Sequence, residues 1–482
     1  MAITTSQPGS PPRAARLLAA LVILLTALPA ALSAREASDP FDTMAITPPR
    51  PALDLPAAAN AYLPCQALPS ATPYGVLEVV DLALCKNPTT REVWAVARVQ
   101  AAQVGVAQSD FLPTIDGQLT VNRLRGDARS GTTRNASLTL SWLLVDFGAR
   151  SAKLEVARQL LSAASASLDA TVQSVFLSAL QSYFNTQAAR AAVTAALESE
   201  KASRESLSAA EVRYRVGSGT PADRLQAQTA WSQATLTRIR SEGVLRNALG
   251  RLAKVMGLDA NHPLRLDDIP TILPDSGFDR DVAELISEAR RRRPEMQAAE
   301  AELKAAQAGV DYARASGRPT ISLSGGPQWE QLDGLSSQGN SIGVSVQLPI
   351  FSGFNTTYQI RTSEARTEVQ AARLENTRQE VALEVWENYQ GLSTATQTIR
   401  SSADLLSSAE QSERVALGRY KAGVGNILDV LNAQSALAAA RLQRIQSMLD
   451  WQVSRAALAR SIGILDSSLL LSISAEPKTH KP

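Results

Sequence analysis

The sequence predicts an α+β membrane protein whose strands close into a β-barrel and whose long helices continue that barrel as a tunnel. Three observations predict this fold. The chain begins with the pattern of an export signal, two pairs of segments alternate with the period of strands of about ten residues, and a very long stretch without proline follows each pair. A fixed internal repeat makes hairpin and helix parts of one unit that occurs twice.

The first 34 residues follow the pattern of a cleaved secretory signal peptide. Arg13 and Arg16 precede an apolar run from Leu17 to Leu28, and small residues follow that run. A helix of this length is too short to cross a hydrocarbon core of about 30 Å. Residues 1–34 are therefore predicted to be removed, and the Pro-rich residues 35–75 are predicted to form an extended arm.

Composition excludes several function classes. The chain has 48 lysines and arginines and 46 aspartates and glutamates, so its formal net charge is +2. Loss of the two arginines in the predicted signal peptide changes this charge to 2 − 2 = 0. This balance gives no electrostatic case for nucleic acid. His262 and His480 are the only histidines, and both lie in predicted linker or tail, which disfavours histidine triads and histidine-rich metal sites. No enzymatic activity, cofactor or metal is predicted, and a secreted hydrolase is the enzymatic alternative.

The chain has two cysteines, Cys65 and Cys85, and both lie beyond the predicted signal peptide. Export places them in an oxidising compartment, where two cysteines 20 residues apart most simply form one disulfide. We therefore predict a Cys65–Cys85 disulfide.

One constant offset relates the two halves of the chain. Residues 213–219 (RYRVGSG) recur as residues 419–425 (RYKAGVG), an offset of 419 − 213 = 206, and the same offset maps Pro88 onto Pro294. Chance does not hold one offset across Pro, Gly and Tyr positions spread over most of a repeat. The predicted units are repeat 1 (76–257), an inter-repeat linker (258–282), repeat 2 (283–464) and a flexible tail (465–482).

Each repeat begins with a helix of about 20 residues and continues into a β-hairpin. The helices are predicted over 91–110 and 295–316, each just after a proline, which suits the first helical turn. Apolar and polar residues then alternate with the period of a strand. The predicted hairpins are 115–146 and 320–350, with polar loops at 126–134 and 333–340. Their apolar positions include Ile115, Leu119, Val121, Leu138, Leu140, Trp142 and Leu144, and Ile321, Leu323, Ile342, Val344, Val346 and Leu348.

Long helices follow the hairpins. Residues 149–216 include 68 positions without one glycine or proline, and residues 354–422 contain no proline. At 1.5 Å per residue, a helix of this length spans about 100 Å, which no compact globular domain accommodates. Return helices are predicted over 221–257 and 426–463. Each repeat is thus predicted to carry its hairpin at one end of a two-stranded, coiled-coil-like rod.

Four strands cannot close a barrel by themselves. In lipid every backbone donor and acceptor must be paired within the protein, so an open sheet is not viable. Three chains of four strands give a 12-stranded barrel, within the range of transmembrane barrels. We therefore predict a homotrimer in lipid, with six helical rods that form a tube below the barrel.

These features together resemble the TolC family of outer-membrane efflux and secretion proteins, over roughly residues 76–464. The resemblance implies a trimeric barrel in the outer membrane and a helical tunnel in the periplasm. It also implies an exit duct that docks with a periplasmic adaptor and an inner-membrane ABC or other transporter.

Residues 83–94 resemble the CyaE branch of type I secretion components, which implies export of a cyclolysin-like protein toxin. The alternatives are an outer-membrane factor for drug or metal efflux and, more distantly, a periplasmic coiled-coil scaffold.

The resemblance also places a gate and an adaptor contact at the two turns between long and return helices. The residues that match the family's periplasmic tips are Tyr214, Gly217, Asp223, Tyr420, Gly423 and Asp429. The two tyrosines could equally be packing anchors of a tight turn. The family's gating arginine falls on Gly425, so another nearby base would have to replace it. The candidates are Arg215, Arg224, Arg419 and Lys421.

Two further patterns carry expectations. The glycines at 217, 219, 423 and 425 are expected to permit positive φ in the turns, since no strand and no Gly-Lys-Ser sequence supports a phosphate-binding loop. The four arginines at 290–293 are interpreted as a solvated helix end, with a basic patch for an acidic partner as the alternative.

Overall fold

The computed structural model describes residues 39–52, 65, 72–125, 130–267, 280–332 and 335–465. The predicted signal peptide, the part of the predicted tail beyond residue 465 and more than half of the predicted arm lie outside these residues. The described residues 39–47 belong to a separate unit. Within it Asp39 accepts hydrogen bonds from the Met44 amide and the Thr43 hydroxyl. All elements below belong to the second unit.

The first half of this unit contains four helices and two strands. They are α1 (Val76–Lys86), α2 (Pro88–Ser109), β1 (Thr114–Arg125), β2 (Ser130–Val145), α3 (Ala149–Arg215) and α4 (Pro221–Val255).

The second half follows the same order. Its elements are α5 (Val282–Arg292), α6 (Pro294–Ala315), β3 (Thr320–Leu332), β4 (Leu335–Gln347), α7 (Asn355–Lys421) and α8 (Ile427–Ile462). The long helices α3 and α7 each have 67 residues, so each extends about 100 Å. The 11-residue helices α1 and α5 were not predicted.

Side-chain caps and prolines set the helix starts. Asn87 caps α2 by accepting a hydrogen bond from the Thr89 amide, and Pro88 occupies the first helical position. Asn426 caps α8 in the same way through the Leu428 amide. These groups satisfy amides that the first turn of a helix leaves unpaired.

The four strands form one antiparallel sheet in the order β1-β2-β3-β4. Pairing between β2 and β3 joins the two hairpins, for example at Trp142 opposite Leu323. The predicted apolar face is largely exposed in the single chain, and Ile342 retains 84% of its accessible surface. A sheet that leaves large aliphatic side chains exposed in this way requires a non-aqueous environment or a partner on that face.

The predicted hairpin loops were wrong in length. Residues 130–134 and 335–340, assigned to polar loops, are paired strand residues, as at Arg134 opposite Val121. The strands continue because the ladder depends on backbone hydrogen bonds, which polar side chains do not interrupt. Residues 126–129 and 333–334 lie outside the described part of the chain.

The buried apolar residues gather where a short helix meets the long ones. In the first half, Val80 and Leu82 of α1 pack with Phe176 and Leu180 of α3. In the second half, Leu285 of α5 packs in an equivalent cluster with residues of α7 and α8. A stretch of α3 is apolar enough to cross a membrane by length and composition alone, but core helices meet the same criterion. The short helices therefore brace the long ones at corresponding levels of the two repeats.

The interpretation of residues 290–293 as a solvated helix end is wrong for Arg293. Residues 290–292 are exposed, but Arg293 retains 3% of its accessible surface. It donates hydrogen bonds to Glu295 and Glu384, and Arg460 pairs with the same two carboxylates. These four side chains, the Arg293 network, tie the α5–α6 junction to both α7 and α8. Arg293 is buried because its charge is neutralised within the fold.

The electrostatics of the network favour its ionised form. Burial alone would raise the pKa of Glu295, but hydrogen bonds and charge from Arg293, aided by Arg460, lower this pKa below its usual value of 4.5. Burial would likewise lower the pKa of Arg293, and its two carboxylate partners raise that pKa instead. The stabilisation linked to Glu295 is therefore present above pH 4.5 and is lost as pH falls through its lowered folded-state pKa.

We predict that Glu384→Gln destabilises the protein by about 2 kcal/mol, because it leaves two guanidinium groups with one carboxylate. The effect is smaller than for a fully buried pair because the Glu384 side chain is 33% exposed. The measurement is the apparent midpoint of thermal unfolding, followed by circular dichroism in detergent. Glu375→Gln, which breaks the exposed pair with Arg378, is the matched control and should change the midpoint little. Equal effects of the two variants at neutral pH would contradict the role of the Arg293 network.

Candidate functional site

The first turn joins α3 to α4; Tyr214 lies at the end of α3, Gly217 lies in the turn, and Asp223 lies in the first turn of α4. The Gly217 amide donates to the Tyr214 carbonyl, and the Ser218 amide donates to the Arg213 carbonyl. Gly217 has φ +76°, a left-handed conformation that costs glycine nothing. These two hydrogen bonds and the left-handed residue form a Schellman motif, which ends α3 and reverses the chain.

The second turn, between α7 and α8, repeats this geometry. The Gly423 amide donates to the Tyr420 carbonyl and the Val424 amide to the Arg419 carbonyl, and Gly423 has φ +84°. The Arg-Tyr-x-x-Gly pattern therefore produces the same backbone turn in both repeats.

The expectation of positive φ was wrong for Gly219 and Gly425. Only Gly217 and Gly423 in these turns adopt it. A Cβ at Gly219 would lie 3.1 Å from the Tyr214 nitrogen, and one at Gly425 would lie 3.0 Å from the Tyr420 nitrogen. The second glycine of each turn thus suits the close approach of the chain to the end of the long helix.

Both predicted aspartates lie at the third position of a return helix. Asp223 completes a capping box with Thr220, in which each backbone amide donates to the other residue's side chain at 3.1–3.2 Å. Asp429 occupies the equivalent position after Asn426 and is exposed. Asp223 is therefore held by its own turn, whereas Asp429 presents its carboxylate to the surroundings.

Arg213 connects the two turns within one chain. Its Nη1 donates to the Tyr420 carbonyl at 2.9 Å, and its guanidinium lies 4.6 Å from the centre of the Tyr420 ring. A cation over an aromatic face is attracted by the ring's electron density. Arg213 was not among the candidate replacements for the gating arginine, although the repeated Arg-Tyr pattern contains it. We call the contact between Arg213 and Tyr420 the Arg213 link.

Tyr420 is buried between the turns, with 2% of its surface accessible. It packs with Ala210, Ala227, Ile427 and Val430 in a small core that both repeats supply. Burial raises the pKa of the Tyr420 phenol above 10, the charge of Arg213 opposes this shift, and the nearby carboxylate of Asp223 adds to it. The Tyr420 hydroxyl has no hydrogen-bond partner among the described residues.

Tyr214 has a different environment from its counterpart. Its side chain is exposed, and the guanidinium of Arg224 lies 5.5 Å from its ring centre. The structure therefore brings Tyr420, Arg213 and Asp223 together and leaves Tyr214 and Asp429 at the surface. Tyr420 is therefore packed, as expected of an anchor of the turn, whereas Tyr214 is accessible.

Cys65 and Cys85 are joined by a disulfide. The buried carboxylate of Asp81 accepts a hydrogen bond from the Cys65 amide at 2.6 Å. Near this bond the Trp94 indole donates to the Pro48 carbonyl, and Arg50 lies over the indole ring. Pro48, Arg50 and Cys65 of the arm are therefore fastened to α1 and α2.

A sheet with one exposed apolar face, continued by two helices of 67 residues, defines the class of outer-membrane channels with a helical tunnel in the periplasm. The family described as "Outer membrane efflux protein" matches residues 79–258 and 285–464, and the chain belongs to this family, the TolC family. The protein is accordingly a transport protein of the outer membrane, with its tunnel in the periplasm.

Individual relatives agree with this assignment. The chain is 32% identical over 404 residues to Protein CyaE of Bordetella pertussis, which covers 82% of this chain and 85% of that protein. It is 25% identical to the probable efflux pump outer membrane protein TtgC of Pseudomonas putida, over 80% and 82% of the two chains. The Campylobacter jejuni CmeC outer membrane channel superposes with a TM-score of 0.72 at 20% identity, over 82% of this chain and 88% of that one. The last similarity concerns the fold alone.

Proposed function

We propose that the protein is the exit duct of a tripartite export system, built as a homotrimer of a duplicated chain. Within one chain β1 and β4 each pair on one side only, so each presents an open edge. Open edges are not tolerated in lipid, and three chains would close them in a barrel of 3 × 4 = 12 strands. The helices would then form a tunnel that docks with a periplasmic adaptor and an inner-membrane ABC or other transporter.

We further propose that the cargo is a protein toxin exported by type I secretion. The observation that carries this proposal is the 32% identity to Protein CyaE over most of both chains, because CyaE typifies the type I branch that residues 83–94 resemble. Drug or metal efflux is the second candidate, and similarity to proteins named as efflux pumps favours it. The coiled-coil scaffold alternative has no comparable support.

The proposed duct predicts a trimer that conducts ions. Native mass spectrometry of the detergent-purified protein should give the mass of three chains, and planar bilayers should show a small, cation-preferring conductance. A non-conducting monomer or dimer would refute the barrel.

The proposed cargo predicts a specific phenotype. Deletion of the gene in its host should remove a secreted protein from the culture medium and leave drug and metal susceptibility unchanged. Raised susceptibility with unchanged secretion would instead establish the efflux alternative.

We propose that the two turns form the gate at the tunnel entrance, with Tyr214, Gly217, Asp223, Tyr420, Gly423 and Asp429 as its residues. The Arg213 link would hold the α7–α8 turn against the α3–α4 turn in the closed state. An adaptor that binds the open arrangement more tightly would shift the equilibrium towards it. The exposed Tyr214 and Asp429 are available for that contact.

Arg213→Ala should raise single-channel conductance several-fold, because it removes both the hydrogen bond and the cation–π contact to Tyr420. Arg419→Ala is the matched control, since Arg419 occupies the equivalent position in the other repeat and is exposed. The measurement is conductance in planar bilayers at fixed salt. If Arg213→Ala conducts like the wild type, the Arg213 link does not restrain the gate.

Asp429→Ala should raise conductance or reduce cation preference, because three copies of this carboxylate would form an acidic ring at the entrance. The acid that the family carries three residues further along is Asn432 here, so the ring depends on Asp429 alone. Reversal potentials in a salt gradient measure the preference. Unchanged conductance and unchanged reversal potential would refute the ring.

A further inference from the structure

Three arginines continue the apolar face of the sheet at its loop end. Residues paired across an antiparallel ladder share a face, and faces alternate along each strand. Val121 pairs with Arg134, so Arg134 lies on the apolar face. Arg123 and Arg125 follow Val121 at intervals of two residues and therefore lie on this face as well. We call Arg123, Arg125 and Arg134 the arginine band.

The band carries charge of one sign. All three side chains are exposed. Arg123 and Arg134 are diagonal neighbours, at a typical separation of about 7–8 Å. The acidic residues within the described strands are Asp116 and Glu330. Because faces alternate along each strand, both lie on the face opposite the arginine band. Among the described strand residues, no carboxylate therefore balances the band on its own face.

The band adjoins exposed apolar side chains. Leu119 and Val121 lie next to it on β1 and retain 56% and 69% of their accessible surface. The helices leave the sheet at the other end of the strands, and the tunnel lies in the periplasm. The band therefore lies at the outer, cell-exterior end of the apolar face.

A ligand of this surface must combine acyl chains with negative charge. We propose that the arginine band binds the phosphate groups of a phosphorylated glycolipid in the outer leaflet, while the acyl chains cover Leu119 and Val121. Guanidinium groups suit this role because they bind phosphate oxygens in a bidentate manner. The inference rests on the proposed barrel, which makes the apolar face the lipid-facing surface.

The repeat provides an internal comparison. The 206-residue offset places Trp329, Gln331 and Asn340 in the second hairpin at the positions of the three arginines. None of them is charged, so the second hairpin has no equivalent band. The trimer would carry three such sites, one on each first hairpin.

The test measures binding of bis-phosphorylated lipid A to the delipidated, detergent-purified protein by native mass spectrometry. R123Q/R134Q should weaken binding about 30-fold, because this is the typical contribution to affinity of two arginines near an anionic headgroup. R123K/R134K keeps both charges and should retain most of the affinity. R240Q, which removes an exposed arginine of α4, should bind like the wild type.

Two results would overturn the proposal. One is unchanged lipid A affinity of R123Q/R134Q. The other is equal binding of phosphatidylglycerol or inorganic phosphate, because the site would then not select a glycolipid. Trimer mass and conductance are recorded on the same samples. If the protein is a conducting trimer and R123Q/R134Q binds lipid A as tightly as the wild type, this inference alone is refuted. A non-conducting monomer refutes the proposed duct as well.

Discussion

Pairing between β2 and β3 is the interaction on which the rest of the structure depends. Each hairpin alone has two strands, which is marginal as a folded unit, whereas four strands with one apolar face form a surface that can enter a membrane. Because α3 follows β2 and α6 precedes β3, the same pairing also places these helices beside each other, and they pack together. Sheet and tunnel wall are thus aligned by one ladder of backbone hydrogen bonds.

The two halves have the same order of helices and strands but differ in the side chains that stabilise them. At the 206-residue offset, Arg293 and Glu384 correspond to Asn87 and Ser178, so the Arg293 network occurs only in the second half. In the first half the side-chain Nδ2 of Asn87 donates to the Val255 carbonyl at 3.1 Å instead. At the turns, Tyr420 is buried under Arg213 while Tyr214 is exposed. Similar turns therefore place their tyrosines differently, one packed between the turns and one at the surface.

Much of this architecture follows from sequence because its signals are local. Absence of glycine and proline predicts α3, and alternation predicts the face of each strand. The short helices α1 and α5 were missed because 11 residues before a proline carry little periodicity, although Asp281 is a recognisable cap for α5. The burial of Arg293 and the Arg213 link were not predictable, since each depends on side chains 91 and 207 residues away that only the tertiary packing brings near.

The distance along the chain between the paired strands has a consequence for assembly. Thr133 pairs with Leu332, so everything from α3 to α6 lies between the partners. Helices form within microseconds, whereas contacts so remote in sequence form slowly because a long loop must close first. We therefore expect the sheet to be completed late, after the helices that support it. Until then each hairpin exposes strand edges and aliphatic side chains, and this interval is when the chain is most prone to aggregate and most in need of a chaperone.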